Sequence, residues 1–332
     1  MEENFTPSTR ESRKMTLEAK LDKLAMNPAI SVIICCHNPR LDYLEKVLDA
    51  LKYQTLPIQQ WELLLIDNAS DNLLANIINL GWHPNARHIR EEQLGITSAR
   101  LRAFQEAKAE LLVFVDYDNV LNTNYLEIAQ QISEAFPCLG VWGGQITGDF
   151  EEPPPPSLKR HLWLLAIRSL DIDCWSNLLH QEETTPCGAG MVVRKTVGNE
   201  YTNLVYRDPR RFILGRKGQL LNSCEDTDIA FTACDMGLGT GRFVSLKLTH
   251  LISADRLKEE YLLRLCEALC CSSTILESFR GKLPAQKSKL RMLFDYYQLW
   301  RMSPIDRRFK KAVKRGQALA LKQITKGLNA TR

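Results

Sequence analysis

The stretch that most constrains this chain is 111–119, LLVFVDYDN, in which five apolar residues lead directly into two carboxylates, Asp116 and Asp118, one residue apart. An apolar run without polar alternation predicts a strand buried on both faces, as in a parallel sheet covered by helices. In open α/β sheets, ligands bind in the crevice outside the carboxyl ends of the strands. Two acids placed there point to a cation and a phosphorylated ligand, because neighbouring carboxylates in a partly dry crevice repel unless a metal or basic side chain neutralises them. A solvated turn with two acids is the plain alternative for an isolated Asp-x-Asp, so the surrounding segments must decide.

Those segments alternate. Residues 29–36, AISVIICC, form a second continuous apolar run, stopped at His37-Asn38-Pro39. Leu44, Val47, Leu48 and Leu51 then recur at helical spacing over 41–52. A strand over 61–66 ends in Asp67-Asn68-Ala69-Ser70-Asp71, whose Ser and Asp are suited to cap a helix over 73–80. His88-Ile89-Arg90 reads as a short strand, and Gly95 opens a helix over 96–109 that carries Arg100 and Arg102. Strand and helix alternating in this way predict a parallel, right-handed sheet. Further on come a helix over 124–136, a glycine-containing strand over 139–145, and prolines at 153–156 that neither helix nor central strand accommodates. Residues 159–179 read as an amphipathic helical segment with Trp163 and Trp175; 185–194, TPCGAGMVVR, reads as a glycine-rich turn entering a strand. A helix announced by CEDTD covers 225–236, a strand over 244–248 ends at Thr249-His250, and 257–279 is strongly helical.

The 332 residues suffice for a large α/β domain with a helical annex, and 45% hydrophobic with 25% charged residues is ordinary for a globular chain. No apolar run is long enough to cross a bilayer, and the polar start MEENFTPSTRESRK lacks a signal-peptide core, so a cytoplasmic location is expected. Ten scattered cysteines contain no C-x-x-C pair and read as small buried hydrophobes. The net charge of +4 is uneven: residues 287–332 carry 13 Lys and Arg against two acids, leaving the body net acidic. With Phe294, Tyr296, Tyr297, Leu299 and Trp300 beside Arg291 and Arg301, this tail could lie on an anionic membrane surface, or could close the core as a solvated helical annex.

Taken in order, SVIICCHN, LLLIDNASD, LGITSARLRAF, FVDYDN and the later CGAGMVVR, CEDTDIAF and LTHLI resemble the family 2 glycosyltransferases, inverting nucleotide-sugar enzymes of the GT-A fold, over roughly residues 31–264. The resemblance implies an α/β fold with a mostly parallel, Rossmann-like sheet flanked by helices and a C-terminal helical extension. It implies a polar arm over 1–28 and a GT-A domain over 29–280. That domain divides into a nucleotide-binding half, 29–150, and an acceptor half, 151–280, and a basic helical tail follows over 281–332. The implied partners are a nucleotide-diphosphate sugar, a UDP-sugar favoured, and a glycan or lipid-linked glycan acceptor in surface polysaccharide biosynthesis.

Residue by residue, the resemblance makes Asp118 a ligand of Mn²⁺ or Mg²⁺ and Asp116 a contact to the ribose or the metal's waters. His250 matches a histidine that completes the metal site in several members; a strand-end surface histidine is the alternative. Asp226 becomes the general base for the acceptor hydroxyl, with Glu225 orienting the acceptor, while Asp228 reads as a first-turn acid at a helix N-terminus. Gly188 and Gly190 permit close approach to the sugar or acceptor. Asp67 contacts the nucleoside in the family, though it could also cap the helix after it. Asn38 stands where the family carries a Thr-Tyr-Asn-like ending; here the residues are Cys36-His37-Asn38. Arg100 lies near the diphosphate or base, and Arg256 could reach the diphosphate from a loop. Trp163 and Trp175 are either acceptor-stacking or core residues.

Other classes fit less well. A sugar-phosphate nucleotidyltransferase needs a glycine-rich loop where this chain has CCHNPRLDY, and a dinucleotide-dependent oxidoreductase needs G-x-G-x-x-G after a strand. Nucleic acid binding has no support, because the positive charge is confined to the tail. A non-catalytic nucleotide-sugar or glycan-binding protein on the same fold is the remaining alternative.

Overall fold

The computed structural model describes residues 28–179, 181, 183–284, 288, 294 and 297–330, so most of the polar arm, and Arg291 and Tyr296 of the basic tail, lie outside the described residues. Four strands, β1 (Ile30–Cys36), β2 (Trp61–Asn68), β3 (Ala86–Glu91) and β4 (Leu111–Phe114), pair in parallel in the order β3-β2-β1-β4. Their side chains alternate between two cores. Val32, Ile34, Leu63, Leu65 and Val113 face one, together with Leu44, Val47, Leu48 and Leu51 of helix α1 (Leu41–Lys52). Ile33, Leu64, Ile66, Leu112 and Phe114 face the other, against Ala99, Ala103 and Phe104 of helix α2 (Ile96–Glu106). Each fully buried Leu or Ile contributes about 1.5–3 kcal/mol, which is why apolar positions dominate these runs. The buried polar side chains Ser31 and Glu62 satisfy one another, the Ser31 hydroxyl donating to the Glu62 carboxylate at 2.6 Å.

The sheet then changes character. The next elements are β5 (Asn119–Leu121), α3 (Tyr125–Ala135), β6 (Leu139–Phe150), β7 (Cys174–Ser176), β8 (Val192–Arg194), α4 (Lys195–Arg207), α5 (Glu225–Asp235), β9 (Gly239–Ile252), α6 (Glu259–Phe279) and α7 (Pro304–Ala330). From β4 the order continues β8-β6-β9-β5. β8 runs antiparallel to β4 and β6, β9 runs parallel to β6, and β5 and β7 lie antiparallel on β9. The expected parallel arrangement therefore describes the first four strands, and the later half is mixed. Among the described residues, no helix is long and apolar enough to cross a membrane.

One crossing positions the crevice. After Phe114 the chain does not extend β4; it passes to the far edge of the sheet and pairs as β5 with β9, with Asn119 opposite His250. Asp116 and Asp118 sit on this crossing, and the backbone N–H of Leu251 donates to the Asp118 carbonyl at 2.8 Å. A strand from the sheet's centre and one from its edge thus bring the acidic pair to the histidine.

Two expected helices are corrected. Over 73–80 only a 3₁₀ turn forms, Leu74–Asn76, because the Asp67 carboxylate accepts the N–H groups of both Ser70 and Leu74 and holds that segment in a tight turn. Over 159–179 the chain forms a 3₁₀ helix at Pro156–Leu165, begun by proline and ended by Ala166 at φ 59°, and then strand β7.

The C-terminal helix packs on the rest of the protein. α7 lays Phe309, Ala312 and Ala320 against α6 and its surroundings, and Gly316 lies between them where any Cβ would collide with the Glu267 carbonyl. His161 stacks on Phe309 with ring centroids 3.6 Å apart and donates from its ring to Asp306 at 3.1 Å, which ties the 3₁₀ helix to α7.

Candidate active site

A cavity of about 1150 Å³ opens at the carboxyl ends of β1 and β4, and Arg100, Asp116, Asp118, Gly188, Glu225, Asp226 and His250 all line it. These seven, drawn from strands, loops and a helix N-terminus, share one wall system, whereas Asn38, Asp67 and Gly190 do not line it.

At one end, Asp118 and His250 form a pair. The Asp118 Oδ2 lies 3.3 Å from His250 Nε2, and Arg256 Nη1 stands between them, 2.8 Å from the carboxylate and 3.0 Å from the imidazole. His250 Nδ1 lies 2.9 Å from the Leu165 carbonyl, so in the neutral ring it carries the proton and leaves Nε2 as a lone-pair donor facing Asp118 and Arg256. Burial alone would push the Asp118 carboxyl up; His250 in its doubly protonated form, whose Nε2–H donates to this carboxylate, with Arg256 and Arg216, outweighs it and holds the group at about 2. Asp116 moves the other way, raised first by burial and then by the Asp118 charge, against Arg100 and Arg216.

The donor chemistry at this end fits a divalent cation. A fully ionised carboxylate and an imidazole with a free lone pair converge at a place now held by a positive guanidinium, and phosphate oxygens and water suit the remaining positions of Mn²⁺ or Mg²⁺. Among the described residues, no group of three His, Cys, Asp or Glu completes a metal site from protein alone.

The second acid pair opens α5. Cys224, at φ 95°, turns the chain so that Glu225, Asp226 and Asp228 fall in the first helical turn. Asp226 points into the cavity. Its Oδ1 accepts the Thr227 N–H at 2.7 Å and its Oδ2 the Gly188 N–H at 2.7 Å. Glu225 pairs instead with Arg100, Oε1 to Nη1 at 2.7 Å, both side chains nearly sealed from solvent. Burial pushes the Glu225 carboxyl up to about 7, against the pull of Arg100 and with the help of Asp226. Gly188 closes this corner: a Cβ there would meet Arg100 Nη2 at 2.6 Å. Gly190, two residues on, accepts the Tyr125 hydroxyl at 2.5 Å through its carbonyl. Asp228 proves structural: fully buried, it accepts Arg211 at 2.5 Å and Arg280 at 3.3 Å.

Some expected contacts fall elsewhere. Asp67 is buried and bonded to Ser70, Leu74 and Arg90, and the wall beside it is built by Asn68. Asn38 is exposed at φ 45° and exchanges hydrogen bonds with Asp71, while Cys35, Cys36 and His37 reach the cavity. The tryptophans separate: Trp163, 49% exposed, stands on the cavity rim, whereas Trp175 lies against Phe136. Sequence reasoning missed Arg216, an exposed cavity-lining cation without a partner among the described residues, whose charge reaches Asp116, Asp118 and Glu225. Its loop, 215–223, has no periodicity that could have marked it. The Arg-Lys pair in GRKG was the available signal.

The sequence profile of "Glycosyl transferase family 2" matches residues 31–197, just over half of the chain. A Drosophila melanogaster protein named "Putative inactive polypeptide N-acetylgalactosaminyltransferase 12" is 36% identical over 121 residues, 33% of this chain and 21% of that protein. "Glycosyltransferase AglE" of Haloferax volcanii is 29% identical over 103 residues, 30% of this chain and 34% of that protein. This chain thus spans between a fifth and a third of the length of these relatives. The crystal structure of S. aureus TarS 1–349 aligns over 71% of this chain and 64% of its own with a TM-score of 0.45 and 16% identity; TarS 1–349 has also been solved with UDP and with UDP-GlcNAc. The family match begins at β1, includes the acidic crossing and ends in α4, and with it the chain belongs to glycosyl transferase family 2.

Proposed function

We propose that this protein is an inverting, metal-assisted glycosyltransferase that moves a hexose from a nucleotide-diphosphate sugar, a UDP-sugar first among the candidates, to a hydroxyl of a glycan or lipid-linked glycan. The observation that carries the reading is the pairing, across one cavity, of an end where Asp118 and His250 converge with a carboxylate that faces the same space and is held by backbone N–H groups. The diphosphate requires positive charge; the acceptor hydroxyl requires a base.

Asp226 takes the acceptor's proton as its oxygen bonds to the anomeric carbon, and the electron pair of the breaking anomeric C–O bond leaves on the nucleoside diphosphate. The N–H groups of Gly188 and Thr227 fix that carboxylate's direction, and each oxygen keeps a lone pair for the incoming proton. Arg100 and Glu225 hold the corner behind it. Asp118 and His250 would hold the divalent cation, which when bound neutralises charge on the leaving diphosphate. Arg216 and Arg256 add positive charge at the same end.

The test is a thermal-shift and calorimetric titration with UDP, GDP, dTDP and CDP, each with and without Mn²⁺, on the protein and on Asp118→Ala. One nucleotide should raise the melting temperature in a metal-dependent way, through a stabilisation of about 2.7 kcal/mol at a hundredfold excess over its Kd, and Asp118→Ala should abolish the gain. No response to any of the four would overturn the donor-site reading. Nucleotide binding without sugar turnover, in protein where Asp226→Asn changes nothing, would instead establish a non-catalytic binding protein.

A further inference from the structure

We propose that the outward face of α7 docks the protein on an anionic membrane surface. Over 304–330 the sequence carries eight Lys and Arg and one acid, Asp306. Packing sorts them. The inner face is Phe309, Ala312, Gly316 and Ala320, which fixes the helix's rotation about its axis. On the flank beside α6, Arg308 pairs with Glu259 at 2.7 Å and Arg315 with Glu267 at 2.6 Å. Lys311, Lys314, Lys322 and Lys326 are exposed and have no ion-pair partner among the described residues. Lys311, Lys314 and Lys322 recur at helical spacing with exposed Ala318 and Leu321 between them, a basic stripe opposite the packed face.

An isolated run of lysines is ordinarily a solvated face. Here a second feature accompanies it. Immediately before the helix, Phe294, Tyr297 and Trp300 are exposed, Trp300 at 73%, and Leu319 and Leu321 add exposed apolar side chains on α7 itself. Leu321 within the unpaired lysine stripe, with exposed aromatic rings just ahead of the helix in sequence, matches the boundary between headgroups and acyl chains, where lysine meets anionic phosphate and the ring enters the less polar layer. A soluble polyanion would use the lysines and leave the aromatic surface in water; a second copy of this chain would set like charges against each other. The membrane satisfies both features. Gln317 of the same helix lines the cavity, so docking along this face holds the cavity beside the lipid surface.

The experiment is co-sedimentation of the full chain with vesicles of phosphatidylcholine alone and of phosphatidylcholine with phosphatidylglycerol, at low and high salt. Each lysine near an anionic surface strengthens partition about fivefold, so the variant K311E/K314E/K322E/K326E should bind the anionic vesicles at least about a hundredfold more weakly while keeping its unfolding temperature. Trp300→Ser should weaken binding several-fold and remove a blue shift of tryptophan emission on vesicle addition. Salt-sensitive binding confined to anionic vesicles and lost in the quadruple variant supports the proposal. No binding of the unaltered protein, binding that survives in the quadruple variant, equal binding to neutral vesicles, retention on heparin without vesicle binding, or a dimer in light scattering that the quadruple variant dissolves would each overturn it; the first result is independent of how any variant folds.

Discussion

Two arginines neutralise two acids across the same cavity, and they are built differently. Arg100 issues from a regular helix, its side chain 4% exposed, and is boxed in by Gly188 and paired with Glu225. Arg256 issues from a short 3₁₀ turn, Ala254–Leu257, its side chain 16% exposed, and shares Nη1 between Asp118 and His250. The first has nowhere else to go. The second is more open to solvent and rises from a short turn rather than a helix. The difference separates a guanidinium sealed beside Glu225 from a more open one that neutralises Asp118 beside His250.

The sharpest way to break that contrast is Arg100→Met. It would leave Glu225 buried without its ion-pair partner and should cost about 3–5 kcal/mol in denaturant unfolding, whereas Arg256→Met should cost about 2 kcal/mol or less. Equal losses would mean that both arginines are structural. Asp226→Asn comes next: turnover should fall about a thousandfold with nucleotide binding unchanged, as measured by initial rates beside calorimetry. A third test uses pH. Glu225 titrates near 7 in the folded protein against about 4.5 unfolded, so between those values the folded state binds more protons and stability falls as pH rises. The loss by pH 7.5 should approach about 3 kcal/mol, and Glu225→Gln should flatten the slope between pH 5 and 7.5. The mildest concerns exchange: Arg256→Ala should tighten Mn²⁺ binding without nucleotide by about tenfold, followed by electron paramagnetic resonance, because the metal no longer displaces a guanidinium. Unchanged affinity would show that Arg256 does not compete.

Much of this arrangement was legible beforehand where local chemistry decides it. Strands buried on both faces announce themselves as apolar runs, and the acids after β4 and at the start of α5 stand at element boundaries that local patterns mark. What sequence could not give depended on pairings distant in the chain. Asp228 resembled an ordinary first-turn acid until Arg211 and Arg280 closed on it, and Asp67 fixes its own loop only because Arg90 arrives from the neighbouring strand. Residues 159–179 misled for another reason. A 3₁₀ helix followed by an edge strand can mimic an amphipathic α-helix in composition, and only proline and the left-handed Ala166 distinguish them.

The close fit of Gly188 on Arg100 carries an evolutionary consequence. A methyl group at position 188 would expel the guanidinium, and without the guanidinium Glu225 would be an unpaired buried acid, so each of the three residues can change only in the company of the others. Single substitutions become restricted. Whichever of the three changes first meets a fitness valley: losing the arginine strands the glutamate, losing the glutamate strands the guanidinium, and filling the glycine crowds it. Descendants with alanine at 188 should therefore lack both charges, a signature of relaxed selection that could be read from sequence alone.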